Sequence, residues 1–116
     1  MSQHRKHRGY ATQRLVAEYL AANGWPYAES AGAGRTGTDI TGTPGIDWEV
    51  KARRNLNLIA LIDQMRERQQ PLVIPIAVVR PDGRGPATIE DWPAVVPLSD
   101  LCDLLREAGY GDPPNK

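Results

Sequence analysis

The sequence has a single cysteine and no long apolar run, and each of these absences excludes a class of protein. Cys102 is the only cysteine among 116 residues, so an internal disulfide cannot form. No apolar stretch approaches the roughly 20 residues that a membrane-spanning helix needs, and the basic start is not followed by the apolar stretch of a signal peptide. We therefore expect a reducing, cytoplasmic setting and no membrane partner.

The sequence also lacks net charge, but its charges are unevenly distributed. Residues 1–80 hold eleven Lys and Arg against seven Asp and Glu, whereas residues 81–116 hold three against seven. Contacts from Lys and Arg to phosphates supply most of the sequence-independent affinity for nucleic acid, so the first part of the chain is the candidate nucleic-acid surface. At 116 residues we expect one domain, which is small enough to profit from a partner chain.

The stretch 37–51 carries the residues with chemical potential. On the predicted strand that ends it, Glu49 and Lys51 point to one face, and the apolar residues between and before them point to the other. Asp39 lies upstream, across a Gly-Thr-Pro-Gly turn that can fold it back beside this strand. Two carboxylates suit a hydrated divalent cation, and a lysine beside them can activate a water, which together allow phosphodiester hydrolysis. The alternative is a charged edge strand with a solvated Glu49–Lys51 pair.

The chain before this stretch predicts a basic arm, a helix and a glycine-rich loop. The arm, residues 1–8, contains Arg5, Lys6 and Arg8 as candidate phosphate contacts, with a solubilising terminus as the alternative. The helix that follows has an apolar stripe and ends near Gly24, and its stripe is Leu15, Val16, Tyr19 and Leu20. Residues 25–30 predict a short strand.

A loop with three glycines, residues 31–37, then leads to Asp39. It is either a plain connection or a mobile element that enters the presumed metal site. Ser30 and Arg35 are therefore candidate phosphate contacts.

After Lys51 the sequence predicts a basic exit, a helix and a buried strand. Arg53 and Arg54 form the exit, and Asn55 or Asn57 can cap the helix, whose predicted stripe is Leu58, Ile59, Ile62, Met65 and Gln69. Gln64 and Arg68 lie on its other face. Residues 71–79 are almost continuously apolar, which is typical of a strand buried on both faces, and the strand ends at Arg80. A short strand over 92–96, a final helix from Pro97 and a disordered tail over 109–116 complete the prediction.

These motifs resemble the PD-(D/E)XK nuclease superfamily over about residues 8 to 80. Asp39 and Glu49-Val50-Lys51 match its signature of an acid followed by an acid, an apolar residue and a lysine. Within that superfamily the chain is similar to archaeal-type Holliday junction resolvases and to proteins of actinobacterial phages described as such resolvases. Gln64 stands at their interval from the lysine, but Gln13 occupies the position of their helical glutamate, which leaves Glu18 as a possible additional acid.

The resemblance implies a restriction-endonuclease-like α/β fold, a mixed β-sheet flanked by helices with an α-β-β-β-α-β core. It implies a Mg²⁺-dependent or Mn²⁺-dependent homodimeric endonuclease that cuts branched DNA, in recombination or repair, in a bacterial or phage-infected cell. Asp39, Glu49 and the Val50 carbonyl would hold the metal, Lys51 would activate the water, Gln64 would support it, and Arg80 would face the substrate. The alternatives are a nuclease for flaps, nicks or ends and a non-catalytic DNA-binding protein with the same fold.

Overall fold

The computed structural model describes residues 3–32, 37–52 and 54–112, with side chains described from residue 9 onward. The predicted order of elements is confirmed. In chain order they are α1 (Gln3–Ala22), β1 (Glu29–Ser30), β2 (Ile40–Thr41), β3 (Ile46–Lys51), α2 (Leu58–Glu67), β4 (Ile74–Val79), a 3₁₀ helix (Pro86–Asp91), β5 (Ala94–Val95) and α3 (Leu98–Glu107). The fold is therefore of the α/β class.

The strands form two small sheets instead of the single mixed sheet that the sequence predicted. β3 and β4 pair in parallel from Ile46 opposite Ile74 to Lys51 opposite Val79, and β5 adds to β4 in the antiparallel direction. β1 and β2 form a separate antiparallel pair. The three-stranded sheet is mixed, as expected, but β2 joins β3 through side chains and isolated backbone bonds, without a continuous ladder.

Helix α1 begins earlier than predicted and covers the three-stranded sheet. It starts at Gln3, so residues 3–8 of the predicted basic arm belong to the helix. Val16, Ala17 and Leu20 are buried in a cluster with Ile40, Trp48, Val50 and Trp92. Tyr19, predicted in the stripe, is instead 38% exposed, because Ala17 takes the core position. Gly24 ends the helix as predicted, with a φ of 124°, and the Trp25 amide donates to the Leu20 carbonyl at 2.9 Å.

Two predicted strands are shorter than expected. The segment 25–28 turns, because the amide of Ala28 donates to the carbonyl of Trp25 at 2.9 Å, so only Glu29 and Ser30 extend as a strand. The last strand comprises only Ala94 and Val95, although the Pro93 carbonyl also accepts from Val79 at 2.9 Å.

Helix α2 is capped as predicted but packs through a different stripe. The Asn57 side chain accepts from the amide of Ala60 at 3.0 Å. Leu61 and Met65 are buried against β4, whereas Ile59 is 76% exposed and Leu58 is also exposed. The predicted stripe was therefore wrong at its first turn, since the spacing from Leu61 to Met65 defines the side that faces the sheet.

Strand β4 is buried on both faces, as predicted. Ala77 packs against α2, and Ile76 and Val78 pack against the core cluster beneath α1. The strand begins at Ile74 and not at Pro71, because the exposed Leu72 has a φ of 65° and turns the chain before it.

Helix α3 follows β5 and buries none of its residues. Its Leu98 is 74% exposed, and Leu101 and Leu105 are also exposed. Arg66 of α2 lies 3.1 Å from Asp100 and donates to Ser99 at 3.2 Å, which ties the two helices together by polar contacts. Gly109 and Tyr110 close the helix through their amides, so the predicted tail does not start at Gly109, and residues 113–116 lie outside the described ones. None of the helices in the described ranges is long and apolar enough to cross a membrane.

Candidate active site

The charged side chains of Glu49 and Lys51 on β3 are almost buried. The Lys51 ammonium lies 3.2 Å from Glu49 Oε2, which confirms that the two side chains share one face of the strand. Glu49 is only 5% exposed, and the Lys51 side chain is 13% exposed. A solvated edge pair would expose both groups to water, so that interpretation of the Glu49–Lys51 pair is wrong.

Asp39 lies between the two sheets, immediately before β2. Its amide donates to the Trp48 carbonyl at 2.8 Å, and its carbonyl accepts from the Ala31 amide at 2.9 Å. Its side chain accepts through Oδ2 from the Val50 amide at 2.8 Å. The turn therefore folds Asp39 back beside β3, as the sequence predicted, and fixes the carboxylate next to the backbone of Val50.

The turn between β2 and β3 packs closely against the segment before β1 at Gly42. Gly42 has a φ of 82°, and a Cβ at this position would lie 1.9 Å from the Tyr27 carbonyl oxygen. Any larger residue would push the turn away from the segment before β1. Nearby, the Trp48 indole donates to the Thr43 hydroxyl at 2.9 Å in the core, which fixes the other side of the turn.

Thr38 holds Asp39 in place, and the sequence analysis missed it. Its hydroxyl oxygen accepts from the Trp48 amide at 2.9 Å and donates to the Ile40 carbonyl at 2.8 Å. The hydroxyl therefore replaces a backbone partner where the ladder between β2 and β3 is interrupted. A threonine in front of an acid is too common a pattern to have signalled this role.

Arg68 and Asp47 also belong to the site and were not predicted there. The Arg68 fork donates from Nε to Asp47 Oδ2 and from Nη2 to Asp47 Oδ1, both at 2.8 Å. The same Nη2 lies 2.8 Å from Glu49 Oε1 and donates to the Trp48 carbonyl at 3.3 Å. Asp47 could have been found from strand alternation, because it is two residues before Glu49 and points to the same face.

The contact between Arg68 and Glu49 differs in kind from the contact between Arg68 and Asp47. Glu49 Oε1 is buried and accepts no hydrogen bond from the described residues, although Arg68 Nη2 is 2.8 Å away. The distance is that of an ion pair, but the angle is not that of a hydrogen bond. Glu49 is thus held by charge, whereas Asp47 is held by a bidentate hydrogen-bonded fork.

Burial raises the pKa of Asp39 above its usual range. The hydrogen bond from the Val50 amide opposes this rise, the charge of Glu49 adds to it, and the charges of Arg68 and Lys51 oppose it. The pKa of Arg68 is raised chiefly by its hydrogen bonds with Asp47, against the effect of burial. The dependence of the Asp39 pKa on Glu49 shows that the two carboxylates interact electrostatically.

The donor atoms around Asp39 and Glu49 fit a hard divalent cation. The Lys51 carbonyl accepts from the amide of Arg80, the residue after β4, at 2.8 Å, so the Val50 carbonyl, one residue earlier, points to the opposite edge, where Asp39 lies. Asp39, Glu49 and this carbonyl are oxygen ligands of the kind that Mg²⁺ prefers. No group of three or more His, Cys, Asp or Glu that could hold a metal occurs within 3–32, 37–52 and 54–112, so water or substrate would complete the shell.

Three other predicted site residues are not brought to this cluster. Gln13 accepts from the Ser30 hydroxyl at 3.1 Å and is partly buried, which places it beside β1. Glu18 is exposed on α1 and does not complete the acid set. Gln64 is exposed and lines an open hollow on the outer side of α2, so Arg68, one turn later, contacts the cluster in its place.

The predicted DNA contacts are only partly within the described structure. Arg80 donates to the Arg84 carbonyl at 2.9 Å and to the Thr12 hydroxyl at 3.1 Å, and its guanidinium lies 5.4 Å from the centre of the Trp92 ring. Arg54 is exposed and lies 3.1 Å from Asp82. Arg35 and Arg53 lie outside the described residues, as do the side chains of Arg5, Lys6 and Arg8.

Comparison with known proteins found no matching family model, no matching curated protein and no matching solved structure. The resemblance to the PD-(D/E)XK superfamily therefore depends on the motif residues themselves.

Proposed function

We propose that this protein is a metal-dependent, structure-selective DNA endonuclease of the PD-(D/E)XK type, with four-way junctions as its substrate. The observation that carries the proposal is the convergence of Asp39, which precedes β2, with Glu49 and Lys51 of β3. Glu49 and Lys51 are 3.2 Å apart, and Asp39 is hydrogen-bonded to the residue between them at 2.8 Å. A partly buried carboxylate with a raised pKa, beside a buried second acid and a lysine, is a combination typical of functional sites.

Each group has a role in hydrolysis that follows from its chemistry. Asp39, Glu49 and the Val50 carbonyl would hold Mg²⁺ or Mn²⁺, and the ion when bound supplies Lewis-acid stabilisation of the phosphoryl oxygens. The Lys51 ammonium orients a water and stabilises negative charge that develops on the phosphate. Gln64 has no catalytic role in this proposal, because it is exposed and lines the open hollow on the outer side of α2.

The surface at the carboxyl ends of β3 and β4 suits the DNA backbone. Lys51 and Arg80 end these two strands next to one another, since the Arg80 amide donates to the Lys51 carbonyl at 2.8 Å. Arg54 and Arg84 lie in the segments that follow the same strand ends. Basic side chains at the edge of the proposed site would hold phosphates beside the metal, together with the phosphate contacts predicted from the sequence for Arg5, Lys6 and Arg8.

The proposed active unit is a homodimer in the cytoplasm of a bacterium or a phage-infected host, acting in recombination or repair. A four-way junction has approximate two-fold symmetry, and a two-fold dimer offers two cuts with matching symmetry. The exposed leucines of α3, which has no buried residue, supply apolar surface for such an interface.

A second candidate is a non-catalytic DNA-binding protein with the nuclease fold. It is favoured by Gln13, which stands where the resemblance places an acid and instead accepts a hydrogen bond from Ser30. It is also favoured by the two cations that already contact Glu49.

Cleavage assays separate these functions. The full chain is incubated with a four-way junction, a flap, a nicked duplex and a linear duplex of matched sequence, with Mg²⁺ and with a chelator. We expect symmetric cuts in the junction with Mg²⁺ only. Preferred cutting of the flap or nick would support a processing nuclease, and binding of all substrates without cleavage would support the non-catalytic function. Sedimentation of the DNA-free protein should show twice the chain mass, and a strict monomer would argue against a junction resolvase.

A further inference from the structure

Arg68 lies beside Glu49, where the divalent metal ion of the proposed nuclease would bind. Its Nη2 atom lies 2.8 Å from Glu49 Oε1, on the oxygen that faces away from Lys51. Glu49 therefore has a cation beside each carboxylate oxygen. A divalent ion that takes Glu49 as a ligand must therefore compete with the positive charges of Lys51 and Arg68.

The two cations are not equally easy to displace from Glu49. Arg68 has an independent anchor, because its fork makes two hydrogen bonds of 2.8 Å with Asp47. It can therefore lose its contact with Glu49 Oε1, which lacks hydrogen-bond geometry, and remain paired. Lys51, in contrast, has Glu49 as its ion-pair partner among the described residues.

The net charge of the cluster is negative, which favours binding of a further cation. Asp39, Asp47 and Glu49 carry three negative charges, and Lys51 and Arg68 carry two positive charges, so the net charge is minus one when all are ionised. Arg68 is 27% exposed and Asp47 is 12% exposed, so both charges act at short range with limited screening by water. Without Arg68 the cluster would hold two uncompensated negative charges.

We propose that Arg68, anchored on Asp47, is a built-in counter-cation that holds Glu49 while the site is free of metal and competes with the divalent cation for it. The inference rests on the proposed function for the identity of the ion. It makes Arg68 a positioning residue and sets the sign of its effect, since removing a competitor tightens metal binding, whereas removing a support weakens it.

The test is calorimetric titration of Mn²⁺ into the full-length protein without DNA. Arg68→Met removes the charge and keeps most of the aliphatic stem. We expect the Kd for Mn²⁺ to fall about tenfold, because a unit charge a few ångströms from a divalent ion is worth about that factor even at the dielectric constant of water. Adding Glu49→Gln to the Arg68→Met variant should abolish this gain in Mn²⁺ affinity.

Arg66→Met is the matched control. Arg66 lies on the same helix and also pairs with a carboxylate, but that partner is Asp100 of α3 and not a residue of the cluster. Arg66→Met changes the net charge of the protein by the same amount as Arg68→Met. Because this charge is remote from the cluster, the Kd of the Arg66→Met variant for Mn²⁺ should stay within about twofold of the wild type.

A double variant keeps the test decisive if Arg68→Met fails to fold with Asp47 unpaired. Asp47→Asn with Arg68→Met removes both charges of the fork, and we expect a Kd about threefold below the wild type from release of Glu49 Oε1 alone. A Kd equal to or above the wild-type value in the variants that fold would overturn the proposal, as would the absence of Mn²⁺ binding in all of them. Tighter binding in the variants without DNA cleavage by the wild type would instead refute the nuclease function and leave the role of Arg68 intact.

Discussion

Asp39 and Glu49 are the two acids of the proposed site, yet the structure holds them by opposite means. Asp39 is fixed by the backbone, through bonds to Ala31, Trp48 and Val50, and burial raises its pKa. Glu49 is fixed by charge, between Lys51 and Arg68, on the face of a regular strand. One carboxylate is therefore positioned by backbone hydrogen bonds at the expense of its ionisation, whereas the other is positioned by the charges of its two neighbours.

The largest test of this comparison is loss of cleavage. Asp39→Asn and Glu49→Gln should each reduce the cleavage rate on the order of a thousandfold, because each removes ligand charge from an ion that supplies several kcal/mol of transition-state stabilisation. Junction affinity without metal should change little in both, since neither residue is a phosphate contact. Lys51→Ala should be similarly inactive but should still bind Mn²⁺.

These rates are measured in single-turnover assays with saturating enzyme. Glu18→Gln serves as the control, because Glu18 is an exposed acid on α1 outside the cluster. Near-normal turnover by Glu49→Gln would remove the catalytic assignment, and loss of turnover in Glu18→Gln would restore Glu18 as the additional acid.

The second test measures stability. It examines the hydrogen bonds to the backbone that hold Asp39, as distinct from the charges that hold Glu49. Asp39→Ala leaves the Val50 amide without its acceptor, and Thr38→Val leaves the Trp48 amide without its acceptor. Each should lower the free energy of unfolding by about 1–3 kcal/mol, the cost of an unpaired buried donor. Asp39→Asn keeps an acceptor oxygen and should not show this loss.

Urea unfolding of the metal-free protein measures these differences. Thr41→Val is the control for Thr38→Val, because the Thr41 hydroxyl makes a longer contact of 3.4 Å to the Glu29 carbonyl near the surface. Its effect should stay within about 0.5 kcal/mol. Equal effects at positions 38 and 41 would mean that Thr38 does not hold Asp39 in place.

The smallest expected effect is the pH dependence that the Asp39 pKa produces. The folded protein holds a proton on Asp39 at pH values where the unfolded chain, with a pKa near 3.8, has released it. The contribution of Asp39 to stability is therefore greatest at and below that value and declines as the pH rises through the raised pKa. Mn²⁺ affinity should change in the opposite direction, because the metal competes with the proton.

Comparison of the wild type with Asp39→Asn isolates this contribution. The variant should gain stability relative to the wild type as the pH rises from 3.8 toward neutrality, because only the wild type loses a proton from the folded state over this range. A difference that stays constant over this range would contradict the raised pKa.

The convergence of Asp39, Glu49 and Lys51 was predictable from the sequence because it depends on local geometry. Alternation along one strand places Glu49 beside Lys51, and a short turn returns Asp39, so both relations are set within a few residues. The order of elements was predictable for the same reason, since caps at Asn57 and Gly24 and the apolar run before Arg80 are local signals.

The partners of these residues were not predictable because they come from distant parts of the chain. Arg68 reaches Asp47 across 21 positions, and Arg80 reaches Thr12 across 68. Neither pairing follows from a period or a spacing. The predicted stripe of α2 was right at Met65 but wrong at its first turn for a related reason, because Leu61 is buried against the sheet while the equally apolar Leu58 and Ile59 are exposed.

The hydroxyl of Thr38 has a consequence for how tolerance to substitution should be interpreted in this protein. This hydroxyl accepts the hydrogen bond of the Trp48 amide in place of a backbone carbonyl, and so links β3 to the residues around β2. In the proposed function it contacts neither phosphate nor metal. A saturation screen for activity should accept serine at position 38 and reject alanine and valine. Such a pattern is usually taken to mean that a residue takes part in the reaction. At position 38 it would instead reflect the structural need for a hydroxyl between Trp48 and Ile40.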